Sequence, residues 1–67
     1  MTSNPDFTQG YYAGHQALDR TPSDAHDMLA QVQTQEQIHR EQGRPHRVDW
    51  CQGYATAIRE FLQEKGT

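Results

Sequence analysis

Apolar residues recur along this chain at helical spacing in three segments that proline and glycine separate. In the first segment they form one stripe, Phe7, Tyr11, Gly14 and Leu18. The third segment has the same spacing, with the stripe Trp50, Tyr54, Ala57 and Phe61 and a second row of Cys51, Ala55, Ile58 and Leu62. No segment alternates apolar and polar residues with period two, so the pattern predicts helices and no strands.

Proline and glycine give the helix boundaries. Pro5, Pro22 and Pro45 fit the first turn of a helix, where the missing N–H would be unpaired in any case. Gly43 and Gly66 fit helix ends, because glycine adopts the left-handed conformation at little cost. These signals predict an all-α fold, a small three-helix domain over residues 1–67 with helices at about 5–19, 22–42 and 46–65.

The middle helix differs from its neighbours in its apolar content. Its apolar positions come early, at Ala25, Met28, Leu29 and Val32, and a polar run follows over residues 33–37. We therefore expect it to cover the core more than to build it. Thr21, with Asp24 three residues later, resembles a capping box at its start.

The two outer helices carry a repeat. Asp-Phe-Thr-Gln-Gly-Tyr at 6–11 aligns without a gap with Asp-Trp-Cys-Gln-Gly-Tyr at 49–54. This similarity predicts that the first and third helices form a pseudo-symmetric pair. A glycine inside a helix costs about 1 kcal/mol relative to alanine, so Gly10 and Gly53 are expected at a close contact between helices. Trp50 is expected to be largely buried, as the main anchor of the core.

Composition places the chain among small proteins with a thin core. Of 67 residues, 33% are hydrophobic, and the mean hydropathy is -1.07. A domain of this size is often completed by a macromolecular partner, or by a second copy in a homodimer. No apolar run reaches bilayer length and no signal-peptide pattern is present, so we expect a cytoplasmic protein with no membrane partner. A single Cys51 excludes an intrachain disulfide and fits a reducing compartment.

Charge is unevenly distributed. Nine acidic and six basic residues give a net charge of -3, which argues against a generic nucleic-acid binder. Basic side chains nevertheless cluster at the turn before the third helix, at His39, Arg40, Arg44, His46 and Arg47. One interpretation is that cations simply favour a helix C-terminus and a solvated turn. The other is a partner- or anion-binding site at Arg40, Arg44, His46 and Arg47, assisted by N–H groups of the third helix.

Tyr12 is the aromatic residue best placed for a surface contact. It lies off the apolar stripe of the first helix, and its counterpart in the repeat is Ala55. One interpretation is that it contacts an RNA base or a partner protein. The alternative is that the aromatic and glycine residues of the repeat serve core packing alone.

No arrangement of residues predicts catalysis. The four histidines are not spaced three or four apart on one helix, so no metal site is predicted. Cys51 lies on an apolar row and is expected to be a small buried residue rather than a nucleophile. We therefore predict a protein that is not an enzyme and has no cofactor.

The aromatic and glycine motifs resemble those of the ribosome modulation factor family, short two-helix bacterial proteins that bind the small ribosomal subunit and help to silence it. Gly-Tyr-Tyr-Ala-Gly at 10–14 is similar to the Gly-Tyr-x-Ala-Gly of the first family helix. Trp-Cys-Gln-Gly-Tyr at 50–54 is similar to the Trp-x-x-Gly-Trp-like stretch of the second, with Tyr54 in place of tryptophan. The resemblance covers about a third of the chain and implies a helix pair and ribosome binding.

This chain departs from that family in two respects. The family is strongly basic, and its connector carries a Cys-Pro-Tyr or similar element where this chain has the longer segment 22–42.

Two functional hypotheses follow from the sequence. In the first, the protein is a small regulator that binds the ribosome or RNA. In the second, it is an acidic accessory protein of phage or plasmid type that binds and inhibits a host protein.

Overall fold

The fold consists of three α-helices, described here from a computed structural model over residues 4–66. Helix α1 spans Pro5–Arg20, α2 spans Ala25–Glu41 and α3 spans Pro45–Gly66, and a short 3₁₀ turn at Pro22–Asp24 precedes α2. The predicted all-α class is confirmed. The predicted helix ends agree with the observed ends except at the start of α2.

The helix boundaries follow from local hydrogen bonds. Asn4 Oδ1 caps α1 by accepting from two first-turn N–H groups at 3.1 and 3.3 Å. Gly43 ends α2 in the left-handed conformation, with a φ of 70°. Its N–H donates to the Arg40 carbonyl at 3.2 Å, and the Arg44 N–H donates to the His39 carbonyl at 2.9 Å. This is a Schellman motif, so the predicted role of Gly43 is confirmed.

The predicted capping box at Thr21 is wrong. The Thr21 hydroxyl donates backwards to the Ala17 carbonyl at 3.2 Å and makes no capping bond to the helix that follows. Residues 22–24 consequently form the 3₁₀ turn, and α2 begins three residues later than expected. The Thr21 side chain thus bonds to the end of α1 and leaves the first turn that follows without a side-chain cap.

Helices α1 and α3 pack against each other through their glycines. A Cβ added at Gly10 would overlap the backbone carbonyl of Trp50, and a Cβ added at Gly53 would overlap the backbone carbonyl of Phe7. Gly10 and Gly53 are equivalent in the repeat, as are Phe7 and Trp50, so the contact is reciprocal. The predicted close approach and the predicted pseudo-symmetric pair are both confirmed.

The α1–α3 pair is parallel. Gly10 lies against Trp50, and farther along both helices a Cβ at Gly14 would lie 2.9 Å from the Ala57 Cβ. Residue numbers therefore rise together along the two helices. Helix α2 runs antiparallel to both and returns the chain to the end where α1 began.

Helix α3 is the centre of the molecule. Helices α1 and α2 each pack on it but hardly touch each other. The enclosed apolar side chains form two clusters, Leu18, Ala25 and Ile58 in one and Val32, Cys51 and Ala55 in the other. The largest fully buried side chain is Ile58. Trp50 is largely buried, as predicted, but it packs against the second cluster from its edge rather than at the centre of the core.

The middle helix covers the core, as its pattern predicts. Ala25 and Val32 are buried, whereas most of the polar run over 33–37 is exposed. Within residues 4–66, no helix combines the length and apolar character that crossing a bilayer requires.

Candidate binding site

The Schellman turn after α2 gathers the predicted basic residues at one end of the molecule. Arg40 lies on the last turn of α2, Arg44 follows the glycine, and His46 and Arg47 lie on the first turn of α3. All four are exposed. We call these four residues the basic end.

Two of the four basic side chains already have acidic partners. Arg40 pairs with Glu36 one turn earlier, at 2.6 Å. His46 Nδ1 lies 2.8 Å from Asp6 Oδ2 on α1. Across residues 4–66, no ion pair engages Arg44 or Arg47. These two guanidinium groups are therefore the ones open to an external anion.

The backbone at the start of α3 offers little to an anion. Pro45 has no N–H. The N–H groups of Arg47 and Val48 both donate to the Arg44 carbonyl, at 3.1 Å each. Side chains rather than the helix N-terminus must therefore bind any anion at the basic end.

A cleft of about 620 Å³ opens beside the basic end, between α2 and α3. We call it the α2–α3 cleft. Its lining residues are Asp6 from α1, then Met28, Gln31, Val32, Gln35 and His39 from α2, and His46, Arg47, Trp50, Cys51 and Tyr54 from α3. The polar positions 31, 35 and 39 form one stripe of α2 at steps of four. The apolar contact between α2 and α3 instead uses Ala25 and Val32.

Two aromatic rings line the cleft. Trp50 and Tyr54 lie one turn apart on α3, with ring centroids 5.2 Å apart and an interplanar angle of 26°, which is a stacked arrangement. Trp50 meets Gly10 of α1 through its backbone, while its ring lines the cleft. Arg47 lines the same cleft, so a cation and an aromatic surface occur together.

His39 has an unsatisfied ring nitrogen at the wall of the cleft. Its Nδ1 is buried and has no hydrogen-bond partner. A buried polar atom left in this state usually indicates a water or ligand that completes the bonding. His39 was predicted as part of the basic cluster but not as a residue of a cleft.

Tyr12 lies apart from the basic end. It is 62% exposed and borders a shallower hollow with Tyr11, Thr56 and Glu60. The Tyr11 hydroxyl donates to Glu60 at 2.6 Å, and this hydrogen bond raises the pKa of Tyr11. The predicted site residues thus form two surfaces, with Tyr12 on one and the basic residues on the other.

Cys51 is enclosed rather than reactive. It is 3% exposed, and burial raises the pKa of its thiol, with Glu36 adding to the shift and Arg47 opposing it. A raised thiol pKa disfavours the thiolate that a nucleophile requires. The prediction of a small buried residue is confirmed.

No metal site is evident in the part of the chain that the structure describes. Within residues 4–66, no three His, Cys, Asp or Glu side chains lie close enough together to hold an ion.

The basic end and the α2–α3 cleft can bind anions and planar rings, with Arg44 and Arg47 as free cations.

The sequence pattern missed the cleft itself. The stripe of α3 places Trp50 and Tyr54 in the core, and both do pack against the core clusters. Gln35 belongs to the polar run over 33–37 and is exposed. Gln31 and Gln35 are both exposed, so the pattern of α2 does not distinguish glutamines that line a cleft from those of a solvated helix face.

Comparison of the chain with protein-family models, curated proteins and solved structures gives no match. Its function is therefore inferred from the geometry of the basic end and the cleft.

Proposed function

We propose that this protein is a small, non-catalytic regulator that binds RNA, such as the RNA of a ribosome, through its basic end. The observation that carries the proposal is that Arg47, which has no ion-pair partner among residues 4–66, lines an open cleft together with the stacked rings of Trp50 and Tyr54. Arg44 lies on the adjoining turn. A ribosomal partner would place the protein in the cytoplasm.

Phosphate is the anion best suited to Arg44 and Arg47. The guanidinium group binds phosphate oxygens through two parallel hydrogen bonds. Proteins that bind single-stranded RNA combine such cations with aromatic side chains on which bases stack. Of the acidic residues, Asp19, Asp24 and Asp27 lie around the α1–α2 connection, away from the basic end. Two of the acidic residues near the basic end, Asp6 and Glu36, are paired with His46 and Arg40.

The resemblance to the ribosome modulation factor family supports this proposal through architecture. Gly10, Gly14 and Gly53 carry the shared motifs and lie in the α1–α3 contact. The motifs thus account for a helix pair, whereas binding to RNA rests on the arginines and the cleft.

Direct binding tests the proposal. Anisotropy of a labelled single-stranded RNA would be measured over a salt series for the native protein and for R44Q/R47Q. If both arginines contact phosphate, the plot of log K against log salt should become shallower by about 1.4 in the variant. The matched control, R20Q/R59Q, makes the same change in net charge at exposed arginines outside the basic end.

The controls separate specific contacts from net charge. Binding that falls in R44Q/R47Q and persists in R20Q/R59Q supports the proposal. An equal fall in both variants would reduce the effect to general electrostatics, and an absence of RNA binding would overturn the proposal.

An acidic surface favours the second candidate, a protein that binds and inhibits a host protein. Asp19, Asp24 and Asp27 are all exposed around the α1–α2 connection. Under this proposal D24N/D27N should lose a protein partner captured from the native host, and R44Q/R47Q should retain it. The opposite result favours RNA.

A further inference from the structure

We infer that the α2–α3 cleft accepts one unpaired nucleobase of the bound RNA, with the base against the Trp50 ring and its phosphate against Arg47. This inference rests on the proposed function and specifies it. It identifies the ligand as single-stranded RNA and makes the cleft, rather than the surface around Tyr12, the place where the base is held.

The dimensions of the cleft fit a ligand of this size. Its volume of about 620 Å³ lies within the range of roughly 300–1,000 Å³ that is typical of small-molecule sites. It is open to solvent, so a base that is still joined to its strand can enter. A base paired within a duplex cannot enter without leaving its own stack.

The α3 wall of the cleft provides a stacking surface. Trp50 and Tyr54 already stack on each other at 5.2 Å, which fixes the orientation of both rings before any ligand binds. The Trp50 backbone is further held by its contact with Gly10. A preorganised ring loses little freedom when a base stacks on it.

The α2 wall provides hydrogen-bond donors and acceptors for the edge of the base. Gln31 and Gln35 line the cleft one turn apart, and each amide carries two donors and one acceptor oxygen. His39 lines the cleft one turn farther along the same stripe. Recognition of unpaired bases uses this combination of an aromatic face and polar groups at the base edge.

Charge sets the direction in which the nucleotide lies. Arg47 lines the cleft and has no ion-pair partner among the residues that the structure describes. On the α1 side, the Asp6 carboxylate is close to His46 and would repel a phosphate. The phosphate is therefore directed towards Arg47 and Arg44, and the base towards Trp50.

The fluorescence of Trp50 tests the inference directly, because it is the only tryptophan in the chain. The probes are single-stranded oligouridylate, single-stranded oligoadenylate and the duplex that these two strands form. We expect at least one single strand to quench the emission of Trp50, and the duplex to leave it unchanged.

Two sets of variants locate the base. W50L should weaken single-strand binding by about 5- to 140-fold, the effect of one lost stacked base, while W50F should retain most of the affinity. Q31A/Q35A should weaken binding several-fold. Q33A/Q37A is the matched control, with the same residue change on the same helix but outside the cleft. Circular dichroism checks that each variant folds.

The outcomes distinguish this inference from the proposed function. RNA binding that depends on Arg44 and Arg47, but leaves Trp50 emission unchanged and is equal for Q31A/Q35A and Q33A/Q37A, would overturn the base site and leave RNA binding intact. Equal affinity for single strands and duplex would also overturn it. If neither form of RNA binds, both the inference and the proposed function fail.

Discussion

The two sides of α3 differ in how closely a second helix approaches. On one side, glycines bring the α1 backbone into contact with the α3 backbone. On the other side, α2 packs on α3 through the side chains of Ala25 and Val32, and Gln31, Gln35 and His39 line an open cleft beside that contact. One central helix therefore serves a structural contact on one face and a candidate binding surface on the other.

This difference shows how a protein with few large apolar side chains can still pack its helices closely. The α1–α3 contact needs few large side chains, because small residues allow close packing of the helices themselves. Trp50 takes part in both sides, since its carbonyl faces Gly10 and its ring lines the cleft. Changes at the α1–α3 contact should therefore alter stability most, and changes in the α2–α3 cleft should alter binding.

The largest effect is expected from alanine at Gly10 or Gly53, in the contact between α1 and α3. In G10A or G53A the new Cβ would overlap the backbone of the facing helix, which cannot move aside as the tip of a side chain can. We expect a loss of about 3 kcal/mol, the upper end of typical overpacking costs, measured by urea unfolding. Q9A, at an exposed position on α1, should change stability little. A higher urea midpoint for G10A, as for a solvent-exposed helical glycine, would contradict the close contact.

A smaller loss is expected when Trp50 is truncated. Because the ring lines an open cleft, W50A should lower the free energy of unfolding by about 2 kcal/mol, less than the roughly 3–5 kcal/mol of an enclosed tryptophan. W50F keeps a ring and should lose less. A blue-shifted emission maximum typical of a fully enclosed indole would show that the cleft is closed in solution.

The turn at the basic end should be moderately sensitive. Gly43 has a φ of 70° and nothing within 4 Å of an added Cβ, so G43A suffers only from the left-handed backbone. We expect a loss of about 1 kcal/mol. G43N should lose less, because asparagine tolerates this conformation. If G43A and G43N are equally stable, the left-handed turn does not limit stability.

The smallest effect is a pH dependence from Cys51. Burial raises the pKa of its thiol, so the folded state holds this proton more tightly than the unfolded state. The contribution of the Cys51 thiol to stability is complete below its pKa in the unfolded chain, about 8.5. It is lost as the pH rises through the pKa of the thiol in the folded state. Unfolding at neutral and mildly alkaline pH should show this decline, and C51A should lack the thiol part of it. An identical decline in C51A would assign it to other groups.

Most of the fold could be predicted because its signals are local. The apolar stripes predict helices α1 and α3, and Gly43 predicts the end of α2. The repeat predicts the reciprocal pairing of α1 with α3. The start of α2 could not be predicted from Thr21, because the choice between the two neighbouring helices depends on where its hydroxyl points.

The candidate site was less predictable because it depends on tertiary contacts. The basic cluster is local to one turn, so its residues were found. The cleft results from the spacing between α2 and α3, which the pattern of one helix does not specify. The i,i+4 spacing of Glu36 and Arg40 predicts their ion pair, which is confirmed, whereas the pairing of His46 with Asp6 depends on the contact between α1 and α3 and was missed. The two pairs leave two of the four basic residues free.

The parallel direction of α1 and α3 fixes the length of what joins them. Two parallel helices cannot be connected by a short turn, because the chain leaves one end of α1 and must enter α3 at the opposite end. The 17 residues of α2 cover about 25 Å at 1.5 Å per residue, close to the length of α1. Helix α2 is thus the return path that the topology requires. An insertion in the exposed turn around Gly43 should therefore be tolerated better than the deletion of one helical turn from α2.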